Sequence, residues 1–125
     1  MEIRESAEDY LERILMLNKS MGQVRAVDIA NLMNFSKPSV SIALKKLRQN
    51  GYVNIDGGGY INLTESGLEI AERVFERHRL ISQLLMALGV DEQTAKEDAC
   101  RVEHDLSVES FEAIKEYCRK NLQIQ

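Results

Sequence analysis

The sequence contains no tryptophan, a single proline, only two cysteines and no long apolar run. A membrane-spanning helix needs about 20 consecutive apolar residues, so we expect no membrane partner. Two cysteines are too few for the disulfide framework of a small secreted domain. The segment Met1–Glu5 also lacks the apolar stretch of a secretory signal. We therefore expect a reducing, cytoplasmic location.

Acidic residues are absent from one segment of an otherwise acidic chain. The net charge is −4, yet residues 1–50 carry eight Lys and Arg against six Asp and Glu, whereas residues 51–125 carry eight against fourteen. Residues 34–50 contain no acidic side chain. Their basic side chains are those of Lys37, Lys45, Lys46 and Arg48. A basic patch on an acidic protein most often binds phosphate, as in nucleic acid; the alternative is a solvated helix face.

Helical periodicity and turn signals predict six helices and one hairpin. The predicted helices span residues 6–21, 27–34, 37–49, 65–88, 92–105 and 108–120, and the predicted strands span 52–55 and 60–63. Ser6 is the expected N-cap of the first helix, with Asp9 as the fourth residue of a capping box. Ser36 is the expected N-cap of the third helix. The fold class is therefore mainly α.

Two helices, a tight turn, a third helix and a glycine-tipped hairpin follow one another in the order of a winged helix-turn-helix. The third helix of that motif enters the major groove by its N-terminal end. We expect that end to approach bases through Ser36, Lys37, Pro38, Ser39 and Ser41. We expect phosphate contacts from Lys45, Lys46 and Arg48, and a wing contact at Gly58. The alternative is a winged helix that binds only protein.

A thiol, a carboxylate and an imidazole occur close together in the second half of the chain. Cys100, Glu103 and His104 stand at i, i+3 and i+4, which places them on one side of a helix. Soft, hard and borderline donors together suit a first-row divalent metal and not calcium or magnesium. The other histidine, His78, lies in a separate predicted helix. Taken singly, each of these residues is more often structural than a ligand.

Asp9 and Glu12 form an i, i+3 carboxylate pair on the first predicted helix. One interpretation is local: Asp9 belongs to the capping box, and Glu12 pairs with Arg13 or with solvent. The other is that both residues complete a site begun by His78 and the cluster at residues 100–104. The residues alone leave both interpretations open.

Seven short motifs together indicate a family. They lie at Glu8–Glu12, Val27–Ala30, Ser39–Ser41, Leu63–Gly67, Arg77–His78, Leu88–Val90 and Val102–Ser107. With them the chain resembles the diphtheria-toxin-repressor family of metal-dependent transcriptional regulators over nearly its whole length. It is most similar to the short manganese-transport-regulator branch.

This resemblance implies a homodimer with a winged helix, a helical dimerisation domain and a metal site between the two. The ligand positions of the manganese branch match Asp9, Glu12, His78, Glu103 and His104. Cys100 departs from that branch, which usually has a carboxylate there, and matches the iron-responsive branch. The iron branch in turn has Met where this chain has Asp9. The expected metals are therefore Mn²⁺ or Fe²⁺, with Co²⁺ and Zn²⁺ binding in vitro.

The ancillary site of the iron branch is expected to be absent, since it needs a carboxylate at Ser82 and a histidine at Lys96. We expect one site with one or two ions. The chain also ends before the position of a C-terminal SH3-like domain, so none is expected. The predicted domains are 1–70, which binds DNA, and 71–125, which binds metal and dimerises. The dimer surface is predicted on the apolar stripe of Val108, Phe111, Ile114 and Tyr117, which could instead be core.

The function expected is a metal-dependent DNA-binding regulator that represses metal-uptake genes, with an operator as partner and no small-molecule substrate. The main alternative is a metal-independent winged-helix regulator that senses redox state, through Cys100 and Cys118, or a small molecule. An enzyme is not expected, because the chain has no nucleophile elbow, phosphate-binding loop or HExxH motif. A metal-buffering role would leave the basic third helix unexplained.

Overall fold

The structure is a computed structural model that describes residues 5–124. Met1–Arg4 and Gln125 lie outside the described residues. These residues belong to the two predicted domains, and Met1–Arg4 also belong to the segment that lacks a secretory signal. The chain divides into two compact units, Met1–Glu72 and Arg73–Gln125. No described helix is both long enough and apolar enough to cross a membrane.

The described part of the chain is mainly helical, as predicted, with one two-stranded sheet. The elements are α1 (Glu5–Met21), α2 (Ala26–Met33), α3 (Lys37–Gln49), β1 (Val53–Ile55), β2 (Ile61–Leu63), α4 (Glu65–Ala87), α5 (Glu92–Val102), α6 (Val108–Tyr117) and a short π-helix (Cys118–Leu122). This order of α1 to β2 confirms the winged helix-turn-helix in the first unit.

The first unit has an aliphatic core shared by its helices and its hairpin. Its fully buried side chains include Leu11, Ile14, Val24, Ile29, Val40, Val53 and Ile61. In the hairpin, β1 pairs with β2 in antiparallel register, with Val53 opposite Leu63 and Ile55 opposite Ile61. Val24 O accepts a hydrogen bond of 2.7 Å from Ile61 N. The wing is therefore tied to the segment that precedes α2.

Local signals set both ends of α3. Ser36 is its N-cap, and Ser36 Oγ accepts a hydrogen bond from Ser39 N. Pro38 stands in the first turn, where its fixed φ angle suits a helix and no N–H is needed. Before α3, Asn34 adopts the left-handed conformation, with a φ of 57°, which lets the chain turn sharply between α2 and α3.

The second unit packs the last part of α4 with α5 and α6. Its buried apolar side chains include Val74, Leu80, Ile81, Ala95, Ala99, Phe111 and Cys118. Glu76 and Lys115 form an ion pair of 3.1 Å between α4 and α6. Phe111 is 3% exposed, whereas Val108 and Tyr117 are 65% and 55% exposed. The predicted dimer stripe is therefore wrong for Phe111, which belongs to the core of its own chain.

Several predicted helix boundaries are wrong: α2 and the end of α4 are shifted by one residue, and three further differences bear on predicted caps and ligands. Ser6 is not an N-cap, because α1 is already helical at Glu5, so Asp9 is not the fourth residue of a capping box. Helix α5 ends at Val102 and not at Asp105, since the chain turns there and Asp105 N donates to Val102 O. Helix α6 ends at Tyr117, where the backbone widens into the π-helix.

Gly67 is predicted to be essential for the stability of the first unit. A Cβ at this position would lie 2.0 Å from the carbonyl oxygen of Tyr52, a backbone atom that also accepts a hydrogen bond from Thr64 N. We expect Gly67→Ala to lower the free energy of unfolding by at least about 2 kcal/mol, measured by urea denaturation. Gly57→Ala, whose Cβ would meet nothing within 4 Å, is the matched control. Equal stability of the two variants would contradict the prediction.

Candidate functional site

One face of α3 is exposed and rich in small and basic side chains. Its buried side is formed by Val40, Leu44 and Leu47. All eight α3 positions predicted to contact DNA are exposed: Ser36, Lys37, Pro38, Ser39, Ser41, Lys45, Lys46 and Arg48. The face therefore offers cations to phosphates, and its N-terminal end is slim enough for close approach of the backbone.

The N-terminal end of α3 is ordered by its own serines. Ser36 Oγ lies 2.8 Å from Ser39 Oγ, in addition to capping Ser39 N. The first N–H groups of a helix and its dipole favour an anion at this end. No acidic side chain occurs in the first turn of α3, so nothing there competes with phosphate.

The wing tip is closed by one aspartate. Asp56 Oδ1 accepts hydrogen bonds from Gly58 N at 2.9 Å and from Tyr60 N at 3.0 Å. Gly59 has a φ of 81°, a conformation that favours glycine. Gly58 is exposed at the tip, where it was predicted to contact DNA. The turn therefore presents backbone instead of bulky side chains.

Arg25 is a basic residue of this surface that the sequence analysis missed. It pairs with Tyr60 as an isolated antiparallel bridge, and its guanidinium carbon lies 4.5 Å from the Tyr60 ring centroid. Its NH2 group also donates to Tyr60 Oη at 3.1 Å. The stacking fixes an exposed cation at the base of the wing. No sequence signal pointed to Arg25, since it lies outside the acid-free segment.

Four of the six predicted metal ligands come together within the second unit. His78 Nδ1 lies 3.0 Å from Glu103 Oε2 and 3.7 Å from Cys100 Sγ. His104 Nε2 lies 3.5 Å from Glu103 Oε1. The two histidines come from α4 and from the turn after α5. Two segments distant in the chain thus contact one carboxylate, with His78 at Glu103 Oε2 and His104 at Glu103 Oε1, and Cys100 joins through His78.

The local geometry of this cluster differs from the one predicted. Cys100 lies on α5, but Glu103 is the C-cap of that helix and His104 is in the turn that follows. The expectation that these three residues share one side of a continuous helix is therefore wrong. They converge because the chain turns at Glu103, not because of helical spacing alone.

Arg77 holds this turn in place and was missed by the sequence analysis. Its side chain is buried, and NH1 donates to Glu103 O at 3.0 Å and to Leu106 O at 2.7 Å. Its guanidinium carbon also lies 5.2 Å from the Phe111 ring centroid. Arg77 thus fixes the backbone that carries Glu103 and His104, while the adjacent His78 contacts the Glu103 side chain.

Glu103 and His78 affect each other through burial and charge. Glu103 is 1% exposed, a costly position for a carboxylate without compensating charge. Contact with Cys100 Sγ, and then with the Glu103 carboxylate, raises the pKa of His78 to about 10. The metal-free chain therefore favours a protonated His78 that offsets the charge of Glu103.

The residues of this cluster fit a divalent transition metal. Metal bonds of about 2.0–2.3 Å in a tetrahedral site separate neighbouring donor atoms by roughly 3.3–3.7 Å. Three pairs of donor atoms lie close to that range: His78 Nδ1 and Glu103 Oε2 at 3.0 Å, His104 Nε2 and Glu103 Oε1 at 3.5 Å, and His78 Nδ1 and Cys100 Sγ at 3.7 Å. Glu103 Oε1 is a buried atom that has the 3.5 Å contact with His104 Nε2 but no hydrogen bond among the described residues. Imidazole, carboxylate and thiol donors together suit iron, manganese, cobalt or zinc.

The two remaining predicted ligands belong to the first unit. Asp9 and Glu12 lie on α1, three residues apart, and Glu12 is completely buried whereas Asp9 is half-buried. Their participation with the second-unit residues stays a prediction. Two other positions bear on the ancillary site: Ser82 Oγ donates to His78 O at 2.7 Å, and Lys96 pairs with Glu92.

The thiols named by the redox alternative have different surroundings. Cys118 is fully buried at the end of α6, and burial raises its pKa. Both effects make a thiol less reactive. Cys100 is half-buried and lies beside His78. Cys100 therefore lies next to a predicted metal ligand, whereas Cys118 has no contact with solvent.

Two family models match the chain, one in each half. Residues 2–59 match the N-terminal DNA-binding domain of iron-dependent repressors. Residues 64–121 match the metal-binding and dimerisation domain of the same proteins. The chain belongs to the family of iron-dependent repressors, as its resemblance to the diphtheria-toxin repressors predicted. It is a metal-dependent, DNA-binding transcriptional regulator.

Relatives of known sequence and structure support this assignment. An uncharacterised HTH-type transcriptional regulator of Methanocaldococcus jannaschii is 40% identical over 118 residues, covering 93% of this chain and 94% of its own. The transcriptional regulator MntR of Escherichia coli is 33% identical, over 94% of this chain and 76% of its own. The manganese regulator SloR superposes with a TM-score of 0.80 at 30% identity, over 95% of this chain. The present chain spans 55% of the SloR chain.

Arg77 is predicted to be a major source of stability in the second unit. Arg77→Met keeps an unbranched side chain but leaves two carbonyls without their donor, so we expect the free energy of unfolding to fall by about 2–4 kcal/mol. Urea denaturation measures this loss. Arg119→Met is the control, because Arg119 is exposed and pairs with exposed Glu116; it should leave the free energy of unfolding nearly unchanged. Similar losses in both variants would contradict the assigned role.

Proposed function

We propose that this chain is a homodimeric, cytoplasmic repressor of metal-uptake genes that binds its operator when Mn²⁺ or Fe²⁺ is bound. It is proposed to have no enzymatic activity and no small-molecule substrate. The observation that carries the proposal is the convergence of His78, Glu103, Cys100 and His104, in a chain whose other unit is a winged helix. Membership of a family of transcriptional regulators supports the same conclusion.

The proposed ligand set is shared between the DNA-binding residues 1–70 and the metal-binding residues 71–125. It comprises Asp9, Glu12, His78, Cys100, Glu103 and His104. A divalent cation held by these residues would supply positive charge that offsets three carboxylates. In its absence, Asp9, Glu12 and Glu103 repel one another if brought close, since like charges in a medium of low dielectric constant interact strongly.

The ligands on α1 give the proposed switch its effect on DNA. Asp9 and Glu12 belong to the unit that carries α3, so fixing these side chains restricts where α3 is held. Two copies of α3 must match half-sites about 34 Å apart on B-DNA. A coupling of about 1–3 kcal/mol between two ligands changes affinity about 5–150-fold. That range is enough for a genetic switch.

The proposed dimer surface lies in the second unit. An open apolar groove of about 300 Å³ is flanked by Asp98 and Arg101. Its apolar lining comprises Ile81, Leu84, Leu85, Val102, Leu106 and Ile114. Exposed Leu88, Val108 and Tyr117 add apolar area in the same unit. Apolar area of this kind on a domain that the family model describes as dimerising supports a second copy as its partner.

The preferred metal is proposed to be Mn²⁺ or Fe²⁺, in line with the metal named for the manganese regulator SloR. The thiol of Cys100 distinguishes this site from a purely carboxylate and imidazole site, and thiolates favour Fe²⁺, Co²⁺ and Zn²⁺ over Mn²⁺. Affinity in vitro is expected to follow the general order of divalent metals. Co²⁺ and Zn²⁺ should therefore bind purified protein as well.

His78 is predicted to be required for stabilisation by metal. A ligand that binds only the folded state at about 100 times its Kd adds about 2.7 kcal/mol. We expect Mn²⁺ and Fe²⁺ to raise the Tm of the wild type under anaerobic conditions and to leave His78→Ala nearly unchanged. Each protein is compared with its own metal-free form, because loss of His78 also removes a partner of Glu103. Arg119→Ala, at an exposed position that pairs with Glu116, should respond as the wild type does; a full response by His78→Ala would remove His78 from the site.

Lys45 and Lys46 are predicted to contact phosphate. Each phosphate contact contributes about 0.9 to the slope of log affinity against log salt concentration. We expect the double variant Lys45→Ala, Lys46→Ala to bind every duplex more weakly and to lose about two from that slope. Fluorescence anisotropy with labelled DNA in increasing salt measures both effects. The control, Lys96→Ala with Lys120→Ala, makes the same charge change in the second unit; equal slopes for the two double variants would contradict the assignment.

A further inference from the structure

An aliphatic side chain lies on the exposed face of α3, opposite the buried residues of the helix. Ile42 is 59% exposed in the middle of the helix. With 3.6 residues per turn, it lies about 140–160° around the helix from the buried residues Val40, Leu44 and Leu47. Ile42 therefore makes no contribution to the buried stripe that attaches α3 to its unit.

The neighbours of Ile42 on this face are small on one side and basic on the other. Pro38 and Ser39 precede it by four and three residues, and Lys45 and Lys46 follow it by three and four. These spacings place all four beside Ile42 on the helix surface. The Ser39 hydroxyl is already paired with Ser36. Ile42 is thus a bulky apolar group between a slim helix end and two cations.

A single exposed aliphatic residue is ordinary on a protein surface, so exposure alone carries no conclusion. The position of Ile42 is what matters, because this face of the third helix enters the major groove in a helix-turn-helix. An aliphatic side chain can form no hydrogen bond with a base edge. In the major groove the apolar group on the edges of the four standard bases is the C5-methyl of thymine.

We infer that Ile42 is a specificity-determining residue that contacts the C5-methyl group of one thymine in each operator half-site. The inference rests on the proposed function, since it requires α3 to read DNA. Lys45 and Lys46, which both lie on the C-terminal side of Ile42, would contact phosphate and carry no sequence information. Burial of one methyl group corresponds to about a fourfold change in affinity for each half-site.

The experiment replaces thymine by deoxyuridine, which removes the methyl group and nothing else. An operator is first selected from a randomised duplex library with the full chain and, in separate selections, Mn²⁺ and Fe²⁺. Each thymine is then replaced singly, at symmetry-related positions of both half-sites, and affinity is measured by fluorescence anisotropy. We expect wild type to lose about fourfold per half-site at one position. Ile42→Ala should bind thymine and uracil equally at that position.

Two further variants control this comparison. Ile42→Gln keeps the bulk of the side chain but replaces its apolar end, so it should also lose the uracil penalty. Leu32→Ala removes another aliphatic residue that is 48% exposed, on α2, and should keep the wild-type pattern. Thermal unfolding of each variant verifies the fold.

The outcomes separate this inference from the proposed function. If wild type selects no duplex with either Mn²⁺ or Fe²⁺, the proposed function is wrong and the inference falls with it. If wild type selects an operator in a metal-dependent manner, but every uracil penalty is the same in wild type and Ile42→Ala, only the inference is wrong. A penalty at one thymine that disappears in both Ile42 variants and persists in Leu32→Ala supports it.

Discussion

The burial of the Glu103 carboxylate is the physical constraint on which the second unit depends. A carboxylate that is 1% exposed destabilises a fold unless positive charge or hydrogen-bond donors surround it. His78 meets this requirement by contacting the Glu103 carboxylate, whereas Arg77 donates to the backbone carbonyl of Glu103 and holds the turn that carries it. Both come from consecutive residues of α4. Two neighbouring residues of α4 therefore control both the charge next to the Glu103 carboxylate and the position of the turn at Glu103.

The first unit, in contrast, keeps its functional cations exposed on the surface of α3. Three aliphatic residues attach α3 to its core, and the opposite face stays available to a large anionic partner. Arg25 and Tyr60 extend this surface to the wing, where Asp56 closes the turn with its side chain. The net negative charge of the chain does not prevent this, because the acidic residues lie outside the segment that forms α3.

The sequence predicted most accurately where local signals decide the structure. Both ends of α3 agree with the prediction, because the N-cap Ser36, Pro38 in the first turn and the C-cap Asn50 act within a few residues. The predicted end of α5 was wrong because the turn at Glu103 is held by Arg77, which lies 26 residues earlier. Helical spacing led us to group Cys100, Glu103 and His104, but Glu103 and His104 lie beyond the end of α5, so the shared helix face that this grouping assumed is absent. Arg25 and Ile42 were missed because their significance lies in exposure and in contacts that periodicity does not reveal.

The small residue at position 82 limits how a metal site of this kind can change over evolution. Ser82 is 4% exposed, and its hydroxyl donates to the carbonyl of His78 one helical turn earlier. A carboxylate there would have to displace packed neighbours and would lose that hydrogen bond, both of which destabilise a protein. A further ligand from α4 is therefore not one substitution away. Neighbouring side chains would have to become smaller first, so the order in which mutations arise decides whether a second metal site can evolve.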